Sequence, residues 1–320
     1  MTSGALISHL LFESAHTRCA RDDGAAVLTF TQPTPRISAD VLDAFHRGLD
    51  VCERDRLPLV ITSGAEHFAM GADLDAELAA AADGHTEALE RLLDRYQRTM
   101  LRLRHASVPT VAAVHGAAIS GGCEVVMHCA HAVVNDYSGV GLGEASIGVI
   151  PGGGGVKEFA LRASRSSDPT AAIEAAFDVI SIGRVGRGID ESLQFGFLDA
   201  ATLTRSNDHL ATAKRVGAEL VATHRPPAAN PRFAVAGQRM IERLVARMTA
   251  ARDRDEIGSH QVQVGSRIAW VLCGGDDARP ERSEADLLAY ERAMFLELIR
   301  MPGTQARIKH FNETGTLLRN

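Results

Sequence analysis

A strand, a helix and a second strand follow one another early in the chain, and this order constrains the fold most. Residues 25–31 (AAVLTFT) and 57–62 (LPLVIT) are short apolar runs typical of buried strands. Between them Ser38 resembles a helix N-cap, and apolar residues over 38–54 recur on one helical face. Because strand–helix–strand order is typical of a parallel sheet, we predict an α/β domain here.

The same alternation continues along the chain before helical patterns take over. Helical patterns over 86–105 and 121–129 alternate with strand patterns at 110–114 and 132–135. From about residue 157 onward the chain is therefore predicted to be mostly helical. Its predicted helices lie at 157–164, 169–181, 189–195, 207–223, 232–254, 257–273, 283–300 and 303–314.

These patterns predict three parts. Residues 1–24 have no clear period and are predicted to be an N-terminal extension. Residues 25–200 form the predicted α/β core with the active site, and residues 201–320 a helical C-terminal region. The segment 224–231 (HRPPAANP) is typical of a linker.

Composition and charge exclude several classes of protein. The 320 residues include 34 Lys and Arg against 40 Asp and Glu, with a net charge of −6, so a nucleic-acid or anionic-membrane binder is not expected. The 5 cysteines are irregularly spaced, unlike a secreted disulfide framework. The N-terminus lacks the pattern of a signal peptide, and no apolar run is long enough to span a membrane. We therefore expect a reduced, cytoplasmic protein.

Two glycine-containing turns could carry chemistry. In FAMGADL (68–74), Gly71 allows a sharp turn that can direct an N–H group into a cleft. In GAAISGGCE (116–124), a strand leads through a glycine pair into a helix, and the N–H groups at such a helix start can bind an oxyanion. Taken singly, the first motif also fits an ordinary strand-to-helix turn, and the second also fits tight packing.

Two glutamates are candidates for acid–base chemistry. Glu124 lies in the first turn of the predicted helix, and Glu144 follows in the glycine-rich stretch GLGEASIG (141–148). Two carboxylates that face one cleft can act as general acid and general base. The spacing alone also fits two glutamates that face solvent.

Other motifs are missing or incomplete. PGGGG (151–155) lacks the Lys-Ser/Thr that follows in a phosphate-binding loop, and no Gly-x-Ser-x-Gly nucleophile motif is present. Cys123, His128, Cys129 and His131 invite a zinc interpretation. On one helix, however, Cys123 and His128 point about 140° apart, so we predict core packing and no metal site.

Together the motifs resemble the crotonase (enoyl-CoA hydratase/isomerase) superfamily. The resemblance implies an α/β crotonase (ClpP/crotonase-like) fold, a spiral of ββα units with a mostly helical C-terminal region. Further motifs resemble the hydratase half of fused bacterial 3-hydroxyacyl-CoA dehydrogenase/enoyl-CoA hydratase proteins. The residues that carry the resemblance are FAMGADL (68–74), VPTVAAVHG (108–116), GGCE (121–124), GE (143–144), GVIPGGGG (148–155), PGGGGVKEFALRAS (151–164), VLCGGD (271–276) and TQARIKHFNETG (304–315).

The resemblance implies a role for individual residues. The backbone N–H groups of Ala72 and Gly121 would form an oxyanion hole for a thioester carbonyl. Glu124 would be the base and Glu144 the acid in an enoyl-CoA hydratase. Many family members have glycine at the position of Ser120, so a side chain there puts the fit of the substrate in doubt. The implied substrate-binding residues are Ala69, Met70, Gly71, Asp73, Leu74, Gly122, Pro151 and Gly152.

The expected activity is hydration of a trans-2-enoyl-CoA in fatty-acid β-oxidation or a related pathway, with no cofactor apart from the coenzyme A of the substrate. The alternatives are a crotonase-type isomerase or thioesterase, and a non-catalytic acyl-CoA-binding subunit. The resemblance implies a homotrimer or hexamer in which the C-terminal helices mediate oligomerisation or cover an active site. The 320 residues leave no room for the dehydrogenase half and contain no dinucleotide fingerprint, so we expect any dehydrogenase partner to be a separate chain.

Overall fold

The computed structural model describes residues 9–82 and 84–320, apart from the side chains of residues 77, 80 and 82. The chain divides into two compact units, each built from three segments. Unit 1 comprises Met1–Asp73, Arg98–Val140 and Gly186–Ala229, and unit 2 comprises Leu74–Gln97, Gly141–Val185 and Asn230–Asn320. Each unit combines segments that are distant in the chain, and local sequence patterns do not reveal which segments pack together.

The strands are short, and all four predicted ones are present. In chain order they are β1 (His9–Glu13), β2 (Thr17–Asp22), β3 (Ala25–Phe30), β4 (Leu59–Ser63), β5 (Ala69–Met70), β6 (Thr110–Val114), β7 (Ala117–Ile119), β8 (His131–Val134), β9 (Gly139–Gly141), β10 (Leu203–Arg205), β11 (Arg232–Ala234) and β12 (Glu281–Ser283).

The helices include every one that the patterns predicted, with small shifts of their ends. They are α1 (Ala39–Asp55), α2 (Asp75–Ala82), α3 (Glu87–Arg104), α4 (Gly121–His128), α5 (Gly155–Ser164), α6 (Pro169–Ile180), α7 (Ile189–Gln194), α8 (His209–Leu220), α9 (Gln238–Asp253), α10 (Ser259–Leu272), α11 (Glu284–Ile299) and α12 (Pro302–Thr314). Short 3-10 turns span Glu144–Ile147 and Ala200–Thr202.

Unit 1 is built on a sheet of strand order β1-β2-β3-β4-β6-β8-β10. The strands from β3 to β10 run parallel, and β1, β2 and β3 are antiparallel neighbours. The inner parallel strands β3, β4 and β6 are buried and mostly apolar because helices cover both faces of the sheet. On one face α1 packs so closely that a Cβ on Gly48 would lie 3.3 Å from a methyl group of Leu59. On the other face α8 buries a cluster of Ala25, Val27, Val60, Val111, Ala113, Val133, Ala213 and Val216.

The predicted N-terminal extension over residues 1–24 includes two strands, between residues 9 and 22. They are β1 and β2, which extend the main sheet of unit 1. Only alternate residues such as Thr17 and Cys19 are buried in β2, and the pairing of β1 with β2 shifts register between Leu10 and Phe12. A half-exposed strand with such an irregularity has no clean period in its sequence. Residues 1–8 lie outside the described residues.

Unit 2 is mostly helical, and it includes most of the helices predicted for the later part of the chain. α10 packs against α5, α6, α9 and α11, and its apolar residues Val264, Ile268 and Leu272 are buried. The predicted helix over 232–254 is shorter than expected, because residues 232–234 form β11 and pair antiparallel with β12. Gly237, with a φ of 67°, immediately precedes α9.

Candidate active site

The first oxyanion turn of the sequence is built on a short parallel strand pair in unit 1. Ala69 and Met70 of β5 pair with Ala118 and Ile119 of β7. The Gly71 N–H donates to the Ile119 carbonyl at 2.9 Å, and Gly71 then turns the chain with a φ of 86°. Residues 69–73, which we call the oxyanion loop, therefore start from a fixed strand end.

A second backbone segment holds the oxyanion loop from the other side. The Ile37 N–H donates to the Gly71 carbonyl, and the Asp73 N–H donates to the Ile37 carbonyl, both at 3.0 Å. Because successive peptide groups of an extended chain point in opposite directions, the Ala72 N–H points away from Ile37. Among the described residues, no protein acceptor receives a hydrogen bond from this N–H.

The carbonyl of the same residue is also fixed. The Arg36 Nη2 donates to the Ala72 carbonyl at 2.9 Å, and its Nη1 lies 3.4 Å from the Asp73 carboxylate. Sequence reasoning missed Arg36, because nothing in its neighbourhood links it to a loop that begins more than thirty residues later. Its contacts orient the backbone on both sides of the predicted oxyanion donor.

The start of α4 lies against the oxyanion loop. A Cβ on Gly122 would come 2.4 Å from the Ala69 carbonyl oxygen and 2.9 Å from the Ala69 Cβ, so only glycine allows this approach. The glycine pair therefore does more than permit a turn. It brings the N-terminus of α4, where Gly121 is the first residue, against the strand that leads to Ala72.

Ser120 precedes α4 in an unusual backbone conformation. Its φ is 55° and its ψ is −117°, a region that glycine tolerates and L-residues rarely adopt. Its side chain makes no capping hydrogen bond to α4. No capping bond therefore offsets the strain of this backbone conformation.

Glu124 lies where the sequence predicted it, in the first turn of α4. Its side chain is 2% exposed, so a solvent-facing glutamate is excluded. Its N–H donates to the Ser120 carbonyl at 3.0 Å, and the His128 Nδ1 lies 2.7 Å from the Glu124 carbonyl. The backbone that carries this carboxylate is thus fixed at both its amide and its carbonyl.

Glu144 is the first residue of the 3-10 turn Glu144–Ile147 in unit 2, and it is 8% exposed. Gly143 precedes the turn, and Gly148 ends it with a φ of 92°. Gly183 packs against this turn, since a Cβ there would lie 2.9 Å from the Ser146 nitrogen. Glycine at 183 therefore allows another backbone segment to approach the turn that carries Glu144 closely.

The glycine-rich loop at 151–155 also belongs to unit 2. The Gln97 Nε2 donates to the Gly152 carbonyl at 2.9 Å. The Glu291 carboxylate accepts from the N–H groups of Gly154 at 2.8 Å and Lys157 at 2.5 Å. The protein's own carboxylate therefore occupies the N-terminus of α5, which agrees with the absence of a phosphate-loop signature.

The predicted site residues fall in both units. Unit 1 contains the oxyanion loop (Ala69, Met70, Gly71, Ala72 and Asp73) together with Gly121, Gly122 and Glu124, and its hydrogen bonds and close packing bring these segments together. Unit 2 contains Leu74, which accepts from the Leu78 N–H in the first turn of α2, together with Glu144, Pro151 and Gly152. That Glu124 and Glu144 share one water stays a prediction.

The cysteine and histidine residues in and near α4, for which a zinc site was considered, have protein partners or are buried. The His131 Nε2 lies 2.9 Å from the Thr204 hydroxyl, and burial lowers the pKa of His131 below its usual value. Burial raises the pKa of the Cys129 thiol to about 12. No group of three or more His, Cys, Asp or Glu side chains within residues 9–82 and 84–320 is arranged to bind a metal ion.

The fold and the two glycine-built turns define a class, the crotonase-type α/β proteins. The chain superposes on an enoyl-CoA hydratase/isomerase from Xanthobacter autotrophicus Py2 with a TM-score of 0.60 and 17% identity, over 95% of each chain. It superposes on an enoyl-CoA hydratase from Bacillus halodurans with a TM-score of 0.61 and 14% identity, over 92% of this chain and 99% of that one. These likenesses confirm the predicted fold.

Sequence comparison gives the family. A family model described as Enoyl-CoA hydratase/isomerase matches residues 20–168. A probable enoyl-CoA hydratase of Bacillus subtilis is 31% identical over 176 residues, which cover 51% of this chain and 67% of that protein. The chain belongs to the enoyl-CoA hydratase/isomerase family of the crotonase superfamily.

Longer relatives match nearly the whole chain. A probable 3-hydroxyacyl-CoA dehydrogenase of Bacillus subtilis is 30% identical over 302 residues, 93% of this chain and 38% of that protein. The fatty acid oxidation complex subunit alpha of Idiomarina loihiensis is 29% identical over 258 residues, 79% of this chain and 33% of that protein. The chain thus spans less than two fifths of the length of these relatives. Within its described residues, no helix combines the length and apolar character needed to cross a membrane.

Proposed function

We propose that this protein is an enoyl-CoA hydratase, which adds water across the 2,3 double bond of a trans-2-enoyl-CoA. The observation that carries the proposal is the oxyanion loop. The Ala72 N–H has no acceptor among the described protein groups, and the close approach at Gly122 sets the start of α4 against the same loop. Membership of the family supports an acyl-CoA thioester as the substrate.

The chemistry of hydration requires stabilisation of a developing enolate. Glu124 removes a proton from a water molecule while the oxygen of that water bonds to the β-carbon of the substrate. The electrons of the double bond shift toward the thioester, and the negative charge develops on its carbonyl oxygen. The N–H groups of Ala72 and Gly121 stabilise this oxygen, and each such donor typically contributes about 10²–10³ in rate. Glu144 then delivers a proton to the α-carbon, which completes the addition of water.

The remaining assignments are part of the same proposal. The substrate contacts are those of Ala69, Met70, Gly71, Asp73, Leu74, Gly122, Pro151 and Gly152. The reaction as written uses no metal and no redox cofactor, and coenzyme A enters with the substrate. We also propose that the protein forms a homotrimer or hexamer and is located in the cytoplasm.

The test is a hydration assay with crotonyl-CoA and longer enoyl-CoA substrates. We expect the absorbance of the conjugated enoyl thioester to disappear and 3-hydroxyacyl-CoA to form. Glu124→Gln and Glu144→Gln should each lower kcat by at least about 10²-fold, the usual contribution of a general acid or base. Glu219→Gln removes a surface carboxylate, 61% exposed, that pairs with Arg215, and serves as the matched control. Normal turnover by the Glu124→Gln, Glu144→Gln double variant would contradict the proposal.

A second candidate function follows from the longer relatives, because one of them is named as a dehydrogenase. In this second function the chain binds acyl-CoA without converting it and associates with a separate 3-hydroxyacyl-CoA dehydrogenase. A purified chain that is inactive alone but becomes part of an active complex with such a dehydrogenase would favour it. Product analysis distinguishes a hydratase from an isomerase, which moves the double bond, and from a thioesterase, which releases coenzyme A.

A further inference from the structure

Three buried side chains of α10 and α12 contact the backbone of the turn that carries Glu144, and a fourth bonds one of these three. They are His260 and Gln261 of α10 and Thr304 and Arg307 of α12, and all of them belong to unit 2. We call this group the C-terminal clamp. All four are less than a tenth exposed, and Thr304 is 0% exposed.

One half of the clamp binds the end of the turn. The Thr304 hydroxyl donates to the Gly148 carbonyl at 2.7 Å. Its oxygen lies 2.8 Å from the His260 Nε2. Because the single hydroxyl proton is already donated to Gly148, the His260 Nε2 must carry the proton of the second bond. A Cβ on Gly148 would lie 3.0 Å from the Thr304 Cα, so α12 approaches the turn at backbone distance.

The other half binds the residue next to Glu144. The Arg307 Nη1 donates to the Ala145 carbonyl at 3.1 Å and to the Gln261 Oε1 at 2.6 Å. The Arg307 Nε donates to the Asn320 Oδ1 at 2.7 Å. Arg307 is 3% exposed, and it forms no salt bridge with any carboxylate of the described residues.

A buried guanidinium bonded only to neutral oxygens is costly, and its desolvation lowers the pKa of Arg307. Such a group is an inefficient way to stabilise a helix. It is an effective way to fix a carbonyl, because several donors in one plane determine its direction. A turn between two glycines has little rigidity of its own, whereas a proton donor must be placed within a fraction of an ångström.

We propose that Thr304 and Arg307, supported by His260 and Gln261, are positioning residues for Glu144. They fix the carbonyls of Ala145 and Gly148 and thereby the place from which Glu144 delivers its proton. This inference rests on the proposed function for the role of Glu144. It assigns to the C-terminal helices a task within their own chain, in addition to the proposed oligomerisation.

The test uses near-isosteric variants that remove single donors. Thr304→Val and Arg307→Met should each lower kcat for crotonyl-CoA by about 10–100-fold with KM changed less than threefold, as expected for a displaced catalytic group. Thr304→Ser keeps the hydroxyl and should restore kcat. The matched control is Lys309→Met, which changes a 75% exposed residue of the same helix and should behave as wild type.

A second measurement needs no turnover. Hydrogen exchange of the peptide that spans residues 144–149 should accelerate at least tenfold in Thr304→Val, while the peptide that contains α4 is unchanged. General destabilisation would accelerate exchange throughout the chain instead. Wild-type kcat in folded Thr304→Val or Arg307→Met, or unchanged exchange at 144–149, would overturn the proposal. If the wild type does not hydrate crotonyl-CoA while Thr304→Val still shows the local exchange effect, the hydratase proposal is contradicted and the structural role of the C-terminal clamp is supported.

Discussion

Ser120 occupies a backbone conformation that costs a serine about 1–3 kcal/mol, at the start of the helix that carries Glu124. The sequence already marked this position, because the family commonly has glycine there. It could not show whether the hydroxyl offsets the strain. In the structure no capping bond to α4 does so.

Ser120→Gly is therefore expected to stabilise the protein. Glycine removes the strain but loses about 0.5–1 kcal/mol through the greater freedom of its unfolded chain, so a net gain of about 1 kcal/mol is expected. Urea unfolding followed by circular dichroism measures it. Ser120→Ala keeps the strained backbone and should show no such gain. If the unfolding free energy of Ser120→Gly is no higher than that of Ser120→Ala, the backbone at this position is not strained.

Residues that hold the backbone of the candidate site, without a predicted chemical role of their own, were not predictable from the sequence. Arg36 contacts the oxyanion loop, and Arg307 contacts the turn of Glu144, each across a long separation in the chain. Neither lies in a motif with chemical meaning of its own. The motifs around Ala72, Gly121, Glu124 and Glu144 were recognisable because their glycines and carboxylates stand at local spacings that a sequence displays, and the roles that the family resemblance implies for them stay predictions.

At the scale of elements, hydrophobic period located the helices and the buried parallel strands. It failed for β1 and β2, which are half exposed, and for β11, which pairs with a strand almost fifty residues away. It also could not show that α4 begins in contact with β5. That contact depends on Gly122, where a side chain would meet the Ala69 carbonyl.

Gly122→Ala tests this contact. The added Cβ would lie 2.4 Å from the Ala69 carbonyl oxygen, so α4 or β5 must move. A shift of about 1 Å in the oxyanion donors should lower kcat/KM for an enoyl-CoA by about 10²-fold. The hydration assay measures the loss, and circular dichroism verifies folding. Gly188→Ala is the matched control, because its φ is 177° and its nearest neighbour would lie 3.5 Å away. A Gly122→Ala variant as active as this control would contradict the argument.

At the scale of the whole molecule, stability should depend on one buried histidine. Burial, together with the nearby charges of Arg307 and Arg267, lowers the pKa of His260 from 6.5 to about 4. The folded chain therefore excludes a proton that the unfolded chain binds between these two pH values. The unfolding free energy consequently falls as pH drops from 6.5 to 4, and this histidine has no effect above 6.5.

His260→Gln keeps a donor for Thr304 but cannot titrate. Relative to the wild type, the variant should gain stability on the order of 3 kcal/mol between pH 7.5 and pH 4. Urea unfolding of both proteins at a series of pH values measures the difference, so that carboxylate titrations common to both cancel. Parallel stability curves would show that His260 titrates normally in the folded chain.

The sequence by itself determined the α/β class, the helices, the two glycine turns and the pair of glutamates. The helices and strands depend on the local repeat of apolar residues, and the turns depend on glycine, which permits their backbone conformation. The glutamates stand out because they carry carboxylates beside these turns. Only the tertiary structure decided how the segments divide into two units, which carbonyls Arg36 and Arg307 fix, and that both glutamates are buried. These depend on contacts between distant segments, and such contacts leave no period or spacing in a single chain.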